Sequence, residues 1–146
     1  MRRDEAINWV GKPVFVWTAM NGEYHGILVD VIAIPNSPFR AKVEVKEVVR
    51  LPVLFELGRR KQREPFPEGK IIEVGAVSLR KLPEDYKFRP YKESLKEAIE
   101  YEEKQLKKWL EDSERLYNNT KLARYATDIA IAKKSLERLE ELKRNV

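Results

Sequence analysis

The sequence predicts an α+β fold in which a small bent β-barrel of about five antiparallel strands precedes an antiparallel αα-hairpin. Up to residue 82, short β-branched and aromatic runs alternate with glycine and proline, a pattern typical of short strands. From residue 92, apolar residues recur at spacings of three and four between charges, which is typical of amphipathic helices. We therefore predict a barrel at 1–82, a connector at 83–91 and a helical hairpin at 92–146.

The first two strands are predicted from KPVFVWTAM and EYHGILVDVIAI. Asn21-Gly22 lies between them and is typical of a two-residue type I′ hairpin turn, which needs positive φ at both positions. The second strand is long, and Gly26 is where we expect it to bend or bulge.

Further strands are predicted in AKVEVKEVV, KIIEV and VSLRKL, with a tight turn at Gly75-Ala76 between the last two. The alternation slips at residues 47–49, which predicts another bulge. Ahead of the strands, RDEAINWV predicts a short helix with Asp4 as N-cap and with Ile7 and Val10 on one side.

This order of elements resembles the SH3-like and Sm-like small barrels over about residues 4–82. The resemblance rests on the long bent second strand with Gly26 and on the tight turn at Gly75 before the last strand. It implies a closed barrel, and small barrels of this layout frequently bind RNA.

Two helices are predicted from SLKEAIEYEEKQLKKWLEDSERLY and KLARYATDIAIAKKSLERLEELKR. Ser94 and Glu97 fit a capping box for the first helix, and Asn118-Asn119-Thr120 ends it and can cap the second. So short a loop requires the helices to lie antiparallel, and their remaining apolar surface should meet the barrel or a second subunit.

Composition narrows the functional class. The chain has a net charge of +5 but no cysteine, which excludes disulfides, thiolate catalysis and cysteine metal sites. No apolar run has membrane-spanning length and the first residues lack a signal peptide's apolar stretch, so we expect no membrane partner and a cytoplasmic protein.

The sequence contains none of the motifs that usually mark an active site. It has no phosphate-binding glycine loop, nucleophile elbow or paired-histidine metal motif, and His25 is the only histidine. We interpret His25 as structural, and we predict no enzyme activity, no cofactor and no metal site.

The candidate site is the run GRRKQREPFP, interpreted as a loop that carries Arg59, Arg60, Lys61 and Arg63. Phe55 and Phe66 lie close enough in sequence to offer stacking faces for bases, and further positive charge could come from Arg80 and Lys81. The seven predicted binding residues are Arg59, Arg60, Lys61, Arg63, Phe66, Arg80 and Lys81. The competing interpretation is a solvated basic loop whose phenylalanines belong to the core.

Two functions remain in competition. The leading hypothesis is a nucleic-acid-binding protein, with RNA favoured over DNA, that contacts phosphates through the basic loop. The alternative is a protein-interaction or assembly module that recruits a partner, or a second copy, through the helical hairpin. A structural subunit of a larger particle is a third possibility.

Overall fold

The computed structural model describes residues Met1–Val146 and has three α-helices and seven β-strands. The helices are α1 (Arg3–Asn8), α2 (Tyr91–Thr120) and α3 (Ala123–Arg144). The strands are β1 (Pro13–Thr18), β2 (Gly22–Ile32), β3 (Arg40–Arg50), β4 (Val53–Glu56), β5 (Arg59–Gln62), β6 (Ile71–Gly75) and β7 (Leu79–Lys81). The α+β fold class is confirmed.

Five strands form one antiparallel sheet in the order β6-β3-β2-β1-β7, while β4 and β5 pair with each other in a separate hairpin. The strands β6 and β7 lie at opposite edges, although only a 3₁₀ turn, Ala76–Ser78, joins them. A flat five-stranded sheet would separate its edges by about 19 Å. Four residues reach at most about 14 Å, so the sheet must be strongly curved.

The predicted closure into a barrel is wrong, because no ladder joins the two edge strands. The strand β7 contains only three residues and its ladder pairs it with β1, whereas β6 pairs with β3. The sheet is therefore a curved, open structure. The predicted tight turn before the last strand is confirmed as the 3₁₀ turn.

Bulges between β2 and β3 produce much of this curvature. The register shifts at His25/Gly26 and at Glu23/Tyr24, where Val49 on β3 has no partner, so both predicted bulges are confirmed. A Cβ atom on Gly26 would lie 2.2 Å from the carbonyl oxygen of Glu44. Only glycine permits the two backbones to approach so closely.

Two local predictions in this region are wrong. The turn between β1 and β2 contains the three residues 19–21, and only Gly22, with a φ of 92°, has a left-handed backbone. The helix α1 begins after Arg2 without a side-chain cap, and its buried residue is Ala6, whereas Ile7 and Val10 are exposed. One six-residue helix has too few turns to bury a full apolar stripe.

The two long helices form the predicted antiparallel hairpin, but their ends differ from the sequence prediction. The helix α2 continues through the asparagines to Thr120, and Lys121, with a φ of 56°, makes the turn. Leu122 precedes α3 without capping it through its side chain, and Pro90 precedes α2 in the same way. Neither helix is long and apolar enough to cross a membrane.

A single hydrophobic core joins the sheet to the helical hairpin. It contains the sheet's inward-facing residues, among them Val14, Val43 and Leu79, and also Ile99 of α2 and Leu139 of α3. The hydroxyl of Ser94, on α2, accepts a hydrogen bond from the backbone N–H of Val48 at 3.0 Å. The helices therefore cover one face of the sheet within the same chain.

Candidate interaction site

The predicted basic loop is a β-hairpin that projects between the sheet and the helices. Its two-residue turn is Leu57-Gly58, with φ values of 52° and 74°, which matches a type I′ turn. Glycine adopts this conformation readily, but leucine does so at a cost of about 1–3 kcal/mol. The interpretation of residues 59–62 as a loop is therefore wrong, because they form β5.

Strand alternation divides the basic cluster between two faces. Arg59 and Lys61 are exposed, whereas Arg60 is half-buried and Gln62 is buried. The Nη2 atom of Arg60 donates hydrogen bonds to Oε1 of Gln62 at 2.9 Å and to Oε2 of Glu102 at 3.3 Å. Both side chains of the Arg60–Glu102 pair are only 13% exposed. This arginine is therefore committed to an internal ion pair.

The Arg60 guanidinium is incompletely satisfied, because its buried Nη1 atom has no hydrogen-bond partner. Burial lowers the pKa of Arg60, and the negative charge of Glu102 opposes this effect. An arginine stays protonated despite such a shift. The pair thus leaves an unused N–H donor beside the hairpin.

Arg63 and Phe66 follow the hairpin and belong mainly to its attachment. The backbone N–H of Arg63 donates to the Pro52 carbonyl at 3.1 Å, and its Nη1 donates to Oδ1 of Asn21 at 3.4 Å. The ring of Phe66 lies 5.4 Å from that of Tyr24, and its N–H donates to the Tyr24 hydroxyl at 3.1 Å. Phe66 thus packs against the core and is not a free stacking face.

Arg80 and Lys81 lie away from the hairpin, on the edge strand β7. Lys81 is opposite Val14 near the start of β1, whereas the Asn21 side chain that Arg63 contacts lies beyond the other end of that strand. The ammonium group of Lys81 is 4.9 Å from the Trp9 ring centroid and 3.3 Å from a Glu5 carboxylate oxygen. The seven predicted residues therefore do not form one surface.

The hairpin borders two depressions. A groove of about 1280 Å³ runs between β5 and α3, and we call it the hairpin groove. Its charged residues have both signs: Arg59, Arg60, Lys61, Lys134 and Arg138 are cationic, and Glu56, Glu137 and Glu141 are anionic. A smaller cavity of about 340 Å³ lies between the hairpin, α2 and α3, and we call it the Trp109 cavity.

The most exposed apolar side chains at this site are those of Phe55, which the sequence suggested as a stacking face, and of Leu57, which it did not single out. Phe55 is 70% exposed and borders the Trp109 cavity, whereas Leu57 is 95% exposed and borders the hairpin groove. A signal was present in the sequence, since Leu57-Gly58 separates two short runs that can pair. Leucine is an uncommon turn residue, so the signal was weak.

A second polar cluster lies on the opposite face of the sheet around Glu47, which is only 1% exposed. The Tyr86 hydroxyl donates to Oε1 of Glu47 at 2.9 Å, and Nδ1 of His25 lies 2.9 Å from the same hydroxyl. Because a hydroxyl has one proton, Tyr86 accepts from His25 while it donates to Glu47. Arg89 donates two further hydrogen bonds to the Glu47 carboxylate, from its backbone N–H at 3.3 Å and from its guanidinium Nε–H at 3.4 Å.

These contacts perturb the ionisation of His25 and Tyr86. Burial lowers the pKa of His25, against the opposing influence of the Glu47 carboxylate. Burial, with the hydrogen bond to Glu47, raises the pKa of Tyr86 to about 12. The cluster attaches the connector to the sheet, in agreement with a structural role for His25. No group of three or more His, Cys, Asp or Glu residues is placed to hold a metal ion.

Comparison with known proteins supports the fold. No family model matches the sequence, and no curated protein matches it. A solved structure, kinase-associated protein B from Bacillus cereus, is similar with a TM-score of 0.61 and 20% identity. The similarity covers 93% of this chain and 95% of that chain. At this identity the likeness establishes a shared fold of sheet and helices.

Proposed function

We propose that this chain is a non-enzymatic protein-recognition module that binds a partner with the β4–β5 hairpin and α3. The observation that carries the proposal is the exposure of Phe55 and Leu57 at the hairpin, at 70% and 95%. Full burial of one such side chain contributes about 1.5–3 kcal/mol. Two of them beside a groove can thus supply the centre of an interface.

The turn geometry supports the same proposal. Leu57 has a left-handed backbone, which disfavours the isolated fold, and its exposed apolar side chain gains nothing from folding. Glycine or asparagine in this position would lower the cost of the backbone conformation. Contact with a partner gives a reason for a leucine here.

The similar solved structure is described as kinase-associated, a description that refers to another protein. Our proposal places this chain in the same broad class of function. It rests on the hairpin geometry, because 20% identity supports the fold alone.

We also propose that the sheet has an SH3-like layout. Within the sheet, β1, β2, β3 and β6 lie side by side in the order in which they occur along the chain, with the β4–β5 hairpin inserted between β3 and β6. After a 3₁₀ turn, β7 returns to pair with β1. The strand that comes first in the chain, β1, thus pairs with the one that comes last, β7, as a small barrel layout requires.

Nucleic-acid binding is the second candidate, and exposed cations favour it. Arg59 and Lys61 lie on the exposed face of β5, Arg63 follows them and is also exposed, and Lys134 and Arg138 border the groove opposite. Anisotropy titration of labelled single-stranded RNA and duplex DNA at several salt concentrations tests it. A steep salt dependence that the Arg59, Lys61, Arg63→Ala variant loses would favour this candidate. Arg60 is left in place to keep Glu102 paired.

A peptide-display selection tests protein recognition. Random 12-residue peptides are selected on the wild-type chain and on a Phe55→Ser, Leu57→Ser variant. We expect peptides enriched on the wild type to lose binding to this variant, whereas a Val77→Ser control, whose valine is 83% exposed elsewhere, retains it. Equal binding to all three proteins would contradict the proposal. All variants should keep the wild-type Tm, since these side chains are exposed.

A further inference from the structure

The Trp109 cavity has an amphipathic lining that indicates one kind of ligand side chain. Its apolar wall includes Phe55, Leu106, Trp109 and Ile131, and its polar wall includes Glu102 and Asp128. Its volume of about 340 Å³ exceeds that of a single long side chain. The cavity can therefore accept one residue of a partner, with an apolar stem along the aromatic wall.

The charges within the cavity do not cancel. Glu102 is paired with Arg60, at 3.3 Å. Asp128, on α3 and half-buried, forms neither a salt bridge nor a hydrogen bond with any other residue. Because the charges of Arg60 and Glu102 neutralise each other, the lining of the cavity has one net negative charge, on Asp128.

From this arrangement we propose that the Trp109 cavity binds an arginine or lysine side chain of a partner protein, with Asp128 as its counterion. The methylene stem would pack between Phe55 and Trp109, and the cationic group would reach Asp128. Because the quadrupole of an aromatic ring attracts a nearby cation, Phe55 and Trp109 would stabilise both the methylene stem and the cationic group of the partner's side chain. Arg60 also borders the cavity, but its ion pair with Glu102 leaves Asp128 as the counterion available to the partner.

A basic protein segment fits this cavity better than a polynucleotide. Phosphates would face the unpaired carboxylate of Asp128, and like charges in a partly enclosed site repel each other strongly. A phosphate backbone has no cationic group to place against Asp128. The inference rests on the proposed function and specifies which residue of the partner enters the site.

The test continues the peptide selection. Peptides that depend on Phe55 and Leu57 are sequenced, and the strongest one is synthesised with a fluorescent label. We expect an arginine or lysine at one fixed position in the enriched set. Asp128→Asn should weaken binding of the synthetic peptide about tenfold, whereas the matched control Asp85→Asn, an exposed aspartate of the connector, should leave it unchanged.

A double-mutant cycle identifies the contact. The basic residue of the peptide is replaced by glutamine, and this peptide should bind wild type and Asp128→Asn equally, because the charge pair is already lost. Independent losses from the two changes would overturn the inference. Since Asp128 is half-buried and unpaired, its conversion to asparagine should not unfold the chain, and Tm measurement checks this.

The remaining outcomes separate this inference from the proposed function. Peptides that require Phe55 and Leu57 but contain no fixed basic residue would overturn the inference and leave the proposed function standing. Enrichment that does not require those two residues would overturn both. Binding of a poly(U) oligonucleotide that competes with the selected peptide and is unaffected by Asp128→Asn would also overturn the inference.

Discussion

At the scale of single residues, His25 connects the ionisation of one side chain to the stability of the sheet. Burial lowers its pKa below the ordinary value of 6.5, so the folded chain binds a proton less readily than the unfolded chain. Stability is then fully present above pH 6.5 and is lost as the pH falls through the lower folded-state pKa. The Glu47 carboxylate opposes this lowering of the pKa and the charge of Arg89 adds to it, while Tyr86 contacts the ring through its hydroxyl.

We expect His25→Gln to reduce the loss of unfolding free energy between about pH 7.5 and pH 5. Urea denaturation at closely spaced pH values measures it, and the wild-type curve should fall more steeply. As the only histidine, His25 has no second imidazole to obscure the result. Parallel curves for the two proteins would show that His25 does not make this contribution.

The sequence predicted the role of some single residues in the sheet but not of others. Gly26 was predictable because a glycine within a long strand indicates a bulge. Burial of Glu47 was not, since it depends on that bulge and on Tyr86 and Arg89, which approach from 39 and 42 positions away. A contact between residues so far apart in the sequence has no effect on the local alternation of apolar and polar residues.

At the scale of elements, α2 is attached to β3 through a hydrogen bond as well as through apolar contacts. The Val48 N–H donates to the Ser94 hydroxyl, which itself donates to the Tyr91 carbonyl at 2.7 Å. The Val48 N–H lies at an irregular part of the β2–β3 ladder. Its partner is therefore supplied by the helix.

We expect Ser94→Ala to lower the free energy of unfolding by about 1–3 kcal/mol, because the buried Val48 N–H would lose its acceptor. Urea denaturation followed by circular dichroism measures the change. Ser113→Ala is the matched control, since Ser113 is also buried on α2 but forms no side-chain hydrogen bond with the protein. Similar losses in both variants would mean that the Val48 bond is not the cause.

The hairpin β4–β5 was the element least accessible to sequence reasoning. Its second strand consists of the polar residues RRKQ, so alternation of apolar and polar side chains cannot reveal which positions face inward. Arg60 turns inward because Glu102, 42 residues later, is its partner. The basic run was thus visible in the sequence, but the separation of its charges was not.

At the scale of the whole molecule, the change of hydrophobic period near residue 90 was sufficient to predict a sheet followed by a helical hairpin. It could not predict whether the sheet closes, which depends on the pairing of two short edge strands. It also could not predict the Trp109 cavity. Phe55, Trp109 and Asp128 belong to three different elements, and only packing brings them together.

That packing makes a prediction about cooperativity. Leu139, on α3, is fully buried in the core cluster that includes the sheet residues Val14 and Val43. If the sheet and helices form one folding unit, Leu139→Ala should lower the stability of both by the same amount, about 2–5 kcal/mol. Native-state hydrogen exchange measures this for amides of β2 and α3 separately. Leu122→Ala, at a leucine 46% exposed between the helices, is the control and should change neither. Loss of protection in α3 alone, with β2 unchanged, would show that the sheet folds independently of the helices that cover it.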